Sequence, residues 1–440
     1  MRRLFGTDGI RGTAGEPPLD PVTVSRVGAA LVASLAAEGT PRPRLVVGGD
    51  PRESTADIVA ALAGGVSAAG GQVTSAGVVP TPAVAWLVRA LAAEAGVVVS
   101  ASHNPWRDNG IKIFSAAGRK LPDAVEAAIE RRIEESAPAP PRAVTPDPLL
   151  AQLYLEHLLE ALPGRLEGLT VVVDAANGAA HEVAPAAFRA AGARVVPLGV
   201  APDGRNINEG TGALHPDAMA RATREAGADL GIALDGDADR IVVADGEGRL
   251  LDGDDVLHLW TLEMIREGRR PEAVVGTVMS NFGFERALED LGVALRRAPV
   301  GDRYVVEEME KNGALLGGEP SGHLIRADLS TTGDGTLAGL HLAAFVALSK
   351  RPLAAQPRFR RTPQLLRNVR VRERVPVGEV PLLAVAIRRA EERLAGRGRL
   401  LVRYSGTEPL LRVMVEGEDP GLVAELADEI AATARAALGA

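Results

Sequence analysis

The chain has no cysteine in 440 residues, which excludes disulfides and thiolate chemistry. Aromatic residues make up only 3% against 46% hydrophobic residues, so the cores must be built from Ala, Val, Leu and Ile. No uninterrupted apolar stretch approaches the roughly 20 residues needed to cross a bilayer, and the opening "MRRLFGTDG" lacks an apolar signal core. No membrane role is expected, and the expected location is cytoplasmic. Positive charge is not in excess either: a net charge of -8 and a pI near 5.6 exclude a general grip on nucleic-acid phosphates as the main activity. Any anionic ligand must be held by local clusters. The basic residues are nearly all Arg, which favours bidentate oxyanion contacts where several converge, although Arg usage also tracks codon composition.

What is present is a rhythm. At ~150 residues per domain the length suggests roughly three domains. Short β-branched runs alternate with Ala-rich helical stretches: strands at 44–50, 72–79 and 96–100, helices at 54–69 and 82–92. The Pro-rich, aperiodic segment 136–148 reads as a linker. A second round follows, with strands at 169–178, 194–199 and 230–234 and helices at 181–191 and 216–226. A third places strands at 273–280 and 293–299 and helices at 283–291 and 303–312, ending in 314–323. Each round ends a strand in a Gly-rich polar loop, a repeat of pattern without sequence identity. The last part differs, with a strand at 368–373, helices at 379–395 and 419–438, and two strands flanking "RYSGTEP", as in a small α+β domain. In α/β sheets ligands sit beyond the carboxyl ends of strands, so these loops are candidate walls of one cleft.

The loop "LDGDADRIVV" carries Asp235, Asp237 and Asp239 at alternate positions. Three converging carboxylates ask for a hard cation, Mg²⁺ or Ca²⁺. A calcium-binding EF-hand would need Gly and Glu where Arg240 and Gly246 stand, and three carboxylates leave room for a phosphate to complete the octahedron of Mg²⁺. A solvated polar turn is the alternative. In "SASHNPWRDNG" Ser102 stands beside His103, outside the G-x-S-x-G context of a hydrolase elbow. A phosphoryl group on Ser102, neutralised by a cation on the Asp loop, would make each motif explain the other. Lys112 and Arg11 are plausible partners for the transferring oxygens, while an ordinary turn accounts for Ser102 to Pro105 in isolation. "GGEPSGH" offers Glu319, Ser321 and His323 to sugar hydroxyls, or is a bare turn. "RYSGTEPLLR" places Arg403, Ser405, Thr407 and Arg412 around Gly406, an anion nest in form. Ser405 to Glu408 also fits a helix capping box, against which Pro409 and the strand-like run after it weigh.

These four motifs, in this order along essentially the whole chain, resemble the α-D-phosphohexomutase superfamily. "FGTDGIRG" (5–12), "SASHNPWRDNGIKIF" (100–114), "VGDRYV" (300–305) and "TTGDG" (331–335) are similar to its bacterial members that act on glucosamine phosphates. The resemblance implies an α/β architecture of four domains around a central cleft, three alike and a smaller α+β fourth, at 1–146, 147–251, 252–364 and 365–440. It implies a phosphoserine at Ser102, and Mg²⁺ on Asp235, Asp237, Asp239 and a phosphoserine oxygen. Arg240 and His103 would support that group, with Arg11 and Lys112 in transition-state and proton-transfer roles. Glu319, Ser321, His323 and Arg303 would meet the sugar, and Arg403, Ser405, Gly406, Thr407 and Arg412 would clamp the non-reacting phosphate. The implied reaction interconverts glucosamine 6-phosphate and glucosamine 1-phosphate through glucosamine 1,6-bisphosphate, feeding UDP-N-acetylglucosamine synthesis, in a homodimer. The same fold acting on mannose or glucose phosphates is the nearest alternative. The chain departs from the common pattern at Pro299, Pro320 and Tyr404, which leaves proton transfer and sugar contacts open.

Overall fold

The computed structural model describes residues 4–6, 8–405 and 408–439, and in it the β-branched runs assemble into four sheets. The first has the spatial order Phe5–Gly6, Gly9–Thr13, Asp108–Ser115, Ala95–Val99, Arg44–Gly49, Gln72–Val78. In the second the order is Leu250–Leu251, Ile241–Asp245, Leu230–Leu234, Thr170–Asp174, Arg194–Leu198. In the third it is Ala294–Ala298, Ala273–Thr277, Leu316–Gly318, Leu324–Arg326. One four-strand unit recurs in all three. Its first strand pairs in parallel with its second and third, and the third turns back into an antiparallel fourth. The repeat of pattern in the sequence is therefore a repeat of topology, and residues 100–107, 235–240 and 319–323 are one hairpin turn in three copies.

The fourth sheet is wholly antiparallel: Gln364–Arg370, Leu410–Gly417 and Gly398–Tyr404, backed by helices Pro381–Leu394 and Pro420–Leu438. Its last two strands in the chain, Gly398–Tyr404 and Leu410–Gly417, pair antiparallel.

Ala95–Val99 and Leu230–Leu234 are buried along their whole length, as strands covered on both faces are, which is why they read as unbroken apolar runs. With few aromatics, close backbone approach replaces bulk. A Cβ on Gly65 would lie 1.8 Å from the Ser25 carbonyl oxygen, so helices Pro21–Ala37 and Thr55–Ala68 cross at a distance that glycine alone permits. The linker carries no helix before Pro148, yet it is strapped to the first unit: Ser25 Oγ and Ala139 exchange hydrogen bonds at 3.1 and 2.8 Å, and the Arg142 amide donates to Ala60.

One continuous hydrophobic core runs through the first three units, with Tyr154 donating to Asp334 inside it at 2.7 Å. The core of the fourth is separate. The joint between third and fourth is polar. The segment that leads into the fourth unit is tied down by Arg361, which reaches Asp252 and Asp255 at 2.5 and 2.6 Å, and by Asn281, which donates to the Thr362 carbonyl at 3.1 Å, while across the joint itself Arg399 donates to the Ser280 carbonyl at 2.9 Å. Water can replace such bonds at small net cost, so the fourth unit can be displaced without opening the core the other three share.

Asp254, buried beside this joint, has its carboxyl pushed up to about 7, by desolvation first and by Asp252 second. A folded-state value above the ordinary 3.8 gives stability that is full at low pH and is lost as pH rises through about 7. Asp254→Asn keeps an acceptor for the Asn281 amide, now at 2.8 Å, and should raise Tm by a few degrees at pH 8 with a smaller gain at pH 5. Equal shifts at both pH values in calorimetry would contradict this account.

Candidate active site

Ser102 sits in the first unit's hairpin turn at φ 52°, a left-handed conformation that costs a residue with a Cβ about 1–3 kcal/mol. Its amide donates to Ser100 Oγ at 2.9 Å, and its hydroxyl donates to Asp235 Oδ2 at 2.6 Å. His103 Nδ1 lies 3.2 Å from the same hydroxyl oxygen. Burial, then the Arg240 and Arg11 guanidiniums, depress the His103 pKa, so its ring is neutral near pH 7. Arg11 donates to the Ala101 carbonyl at 3.1 Å and to Asn104 Oδ1 at 3.3 Å while pairing with Asp8.

Asp235, Asp237 and Asp239 fill the equivalent turn of the second unit, all buried, with an oxygen from each within 4.8 Å of the others. The two hairpins touch because Gly236 has no side chain: a Cβ there would meet the Ser102 carbonyl oxygen at 2.4 Å. Desolvation, then Asp239 and Asp237, push the Asp235 carboxyl well above the usual range. Burial opposes ionisation of Asp237 too, yet Lys112 and Thr81 hold it below that range. Lys112 Nζ lies 2.8 Å from Asp237, 3.1 Å from Asp8 and 3.3 Å from Asp239. Burial works against its charge, but the three carboxylates raise its pKa well above normal. Among the described residues Asp237 Oδ1 and Asp239 Oδ1 are buried without a hydrogen-bond partner. Orphaned oxygens inside a cluster of hard donors suit a small divalent cation such as Mg²⁺. The Arg240 amide donates to Asp235 Oδ1 at 3.2 Å, and its guanidinium lies 3.8 Å from Asp239.

Beside these turns opens a cavity of about 900 Å³ to which the first, second, third and fourth units all contribute. From the third, Glu319 accepts from the Gly301 amide at 3.0 Å and from Ser321 Oγ at 3.2 Å; Ser321 itself is exposed. His323 is buried with Nε2 3.4 Å from Asp302. Arg303 lines the cavity, but its guanidinium pairs with Asp123 and, at 3.0 Å, with Glu126, so in this arrangement it pins the third unit to the first. From the fourth come Arg403, Ser405 and Arg412. Arg412 lies 3.3 Å from both Ser405 Oγ and Glu408. Arg403 has no carboxylate partner among the described residues, and partial burial, then Arg412, lower its pKa. Two neighbouring guanidiniums with one carboxylate between them are short of an anion. Ser405 Oγ accepts the Glu408 amide at 3.3 Å, but the element that follows is the strand Leu410–Gly417, so no helix is capped there. Gly406 and Thr407 lie outside the described residues.

Asp8, Lys120 and Asp302 also line the cavity and had no assigned role in the sequence reading. Lys120, half-buried, pairs with Asp8 and, at 2.5 Å, with Asp302, tying the first unit to the third. Burial opposes the Asp302 charge, yet Lys120 brings its carboxyl down to about 2. Asp8 and Asp302 fall inside "FGTDGIRG" and "VGDRYV", which marked them; for Lys120 the only signal was the scarcity of lysine.

Three copies of one α/β unit and a fourth that brings Arg403 and Arg412, all lining one cleft beside which a serine hydroxyl meets a carboxylate cluster, define an enzyme of the phosphohexomutase class. The phosphoglucomutase/phosphomannomutase family matches in four pieces: α/β/α domain I over residues 2–139, domain II over 152–248, domain III over 252–358 and the C-terminal domain over 366–433. A phosphoglucosamine mutase of Anaeromyxobacter dehalogenans is 47% identical over 100% of both chains. The chain belongs to the phosphoglucosamine mutase family, isomerases within that class. A phosphoglucomutase/phosphomannomutase family protein from Burkholderia thailandensis shares the fold at TM-score 0.83 and 24% identity, covering 99% of this chain and 98% of its own. An Aspergillus fumigatus N-acetylphosphoglucosamine mutase, solved with GlcNAc-6P and magnesium, does so at TM-score 0.64 and 18% identity, covering 99% and 96%. Among the described residues no helix is long and apolar enough to cross a membrane.

Proposed function

We propose that the protein interconverts glucosamine 6-phosphate and glucosamine 1-phosphate, with Ser102 as phosphoryl carrier and glucosamine 1,6-bisphosphate as the bound intermediate. One observation carries this reading: Ser102 Oγ lies 2.6 Å from the carboxylate cluster, buried next to His103, which with Asp239 and Arg240 lines a cleft whose other walls include the Arg403 and Arg412 pair. A donor and a separate anion clamp are what a reaction requires when its substrate keeps one phosphate while receiving another.

In the first half-reaction the P–O bond to Ser102 Oγ breaks as a sugar hydroxyl oxygen bonds to phosphorus, and the hydroxyl proton passes to a base at the cleft. Neutral His103, beside Oγ, holds the serine oxygen, and Arg11 and Arg240 hold the moving oxygens. Lys112 keeps its charge against Asp8, Asp237 and Asp239. The ligands of Mg²⁺ would be Asp235, Asp237, Asp239 and a phosphoserine oxygen, and when bound the ion neutralises charge on the leaving serine oxygen. Glu319 and Ser321 meet sugar hydroxyls with His323 beside them, Arg303 supports the third-unit loop, and Arg403, Ser405, Gly406, Thr407 and Arg412 hold the resting phosphate. The intermediate then turns over and returns its other phosphoryl group to Ser102. Such catalysis is chiefly positioning and charge neutralisation, which suits a site assembled from rigid hairpins.

The reading carries a cytoplasmic setting with it, since sugar phosphates are anions that do not cross bilayers unaided, along with supply of UDP-N-acetylglucosamine synthesis. A homodimer is part of it on resemblance alone; light scattering on the purified protein tests that element. The function itself is tested by coupled assays on glucosamine, mannose and glucose phosphates with the 1,6-bisphosphate present. The expected result is a kcat/KM for glucosamine 6-phosphate at least about tenfold above the others. A preference for mannose or glucose phosphate would reassign the substrate, and steady phosphate release would make the enzyme a phosphatase.

A further inference from the structure

The Ser102 turn is gripped by two side chains that belong to different units. Arg52, from the first, donates through Nη2 to the carbonyl of Ser102 at 3.1 Å and to that of Asn104 at 2.6 Å. Asn208, from the second, donates through Nδ2 to the same two carbonyls at 3.0 and 3.3 Å. Both are buried, and neither is among the residues that line the substrate cleft. Each is itself fixed. Arg52 pairs through Nη1 with buried Asp50, which also accepts the Arg52 amide at 3.1 Å and the Thr55 hydroxyl at 3.2 Å. The Asn208 amide donates to the Ala176 carbonyl at 2.8 Å.

We infer that Arg52 and Asn208 are positioning residues, a carbonyl clamp that holds Ser102 in its left-handed turn and so aims Oγ at Asp235. This inference rests on Ser102 being the phosphoryl carrier. At φ 52° Ser102 is in a conformation its own side chain disfavours, so the turn keeps its shape only if its surroundings over-determine it. Hydrogen bonds on carbonyls 102 and 104 fix the Ser102–His103 and Asn104–Pro105 peptide planes that bracket the turn, and the first of these sets ψ of Ser102 and φ of His103, on which the directions of the serine Oγ and of the His103 ring depend. Because one donor comes from each unit, the aimed turn exists only where the first and second units are docked. The clamp touches no substrate atom. Its loss should leave sugar-phosphate binding in place and misalign the transfer, and a displacement near 1 Å can cost about 10²-fold in rate.

Asn208 also sits at φ 62°, so a test must separate its side chain from its backbone. Asn208→Gly keeps the left-handed backbone and deletes both donors; Asn208→Asp keeps the shape and faces the two carbonyls with a carboxylate oxygen. Both variants should lower kcat by about 10–100-fold while KM for glucosamine 6-phosphate stays within about threefold. Wild-type kcat in the Gly variant would overturn the clamp, as would a loss of kcat that follows only the fraction of unfolded protein in a melting curve at the assay temperature. Ser102→Ala, assayed alongside, separates the two claims. If it retains turnover, the carrier assignment is what fails; if it is dead while Asn208→Gly is fully active, the clamp alone fails.

Discussion

Ser102→Ala should lower kcat by more than about 10⁴-fold, the scale on which loss of a covalent nucleophile is felt. The variant deletes the atom proposed to carry the phosphoryl group, which lies 2.6 Å from Asp235, and the other hydroxyl on the cluster, Thr81 Oγ1, is fully buried against Asp237 at 2.6 Å. The fold should survive. Asp235 loses one donor but keeps the Arg240 amide at 3.2 Å, and desolvation already favours its neutral form, so the cost is that of one buried hydrogen bond, about 1–3 kcal/mol. Against a core that runs unbroken through three units this is a small local loss. Turnover in a coupled assay, thermal unfolding and the intact mass of the purified variant together check the prediction. The variant should be folded, inactive and free of the phosphoryl mass at this position. Near-normal turnover would remove Ser102 from its proposed role.

The parts of the site that could be read from the sequence are those whose chemistry is local. Asp235, Asp237 and Asp239 lie within five residues, Arg403 and Arg412 flank one turn, and Ser102 follows a five-residue buried strand, so each hairpin announced itself. The equivalence of these hairpins was not legible, because it depends on which strands pair antiparallel, as Ile241–Asp245 does with Leu230–Leu234, and on a fourth strand, Leu324–Arg326, only three residues long. The helix Gly335–Ser349 gave no amphipathic signal for a related reason: it is buried on all sides in the shared core. Lys120, Asp8 and Asp302 meet across long sequence separations, and their ion pairs depend on how the first and third units dock. Arg52 and Asn208 were invisible for a different reason. They bind main-chain carbonyls, which every residue has, so no pattern of side chains records the contact. Arg303 illustrates the converse: its motif was legible, and its pairing with Asp123 and Glu126 was not.

Asp237→Asn should weaken Mg²⁺ and the rate together, metal affinity by more than the 10–100-fold typical of outer ligand partners and kcat by about 10²–10³-fold. The expectation follows from how the carboxylate is shared. Its Oδ2 takes Lys112 at 2.8 Å and Thr81 Oγ1 at 2.6 Å, which leaves Oδ1, buried and without a hydrogen-bond partner, as the atom available to a cation. Asparagine can still accept from Thr81 through its single carbonyl oxygen, but it then has only its NH₂ group to present where Oδ1 was, and that group, a donor without an available lone pair, cannot ligate a cation. Removing one partner of a buried ion pair costs about 3–5 kcal/mol when the other is stranded. Here Lys112 is not stranded, since Asp8 and Asp239 remain at 3.1 and 3.3 Å, so destabilisation should fall below that range and the variant should purify folded. The decisive readout is independent of turnover. A cation that binds the native state alone raises Tm in proportion to the logarithm of its concentration, so a Mg²⁺ titration of Tm should show a clear rise in the parent protein and a rise displaced to higher concentration in the variant. Superimposable titration curves would place Mg²⁺ elsewhere and dissociate the carboxylate cluster from the metal, whatever the variant's activity.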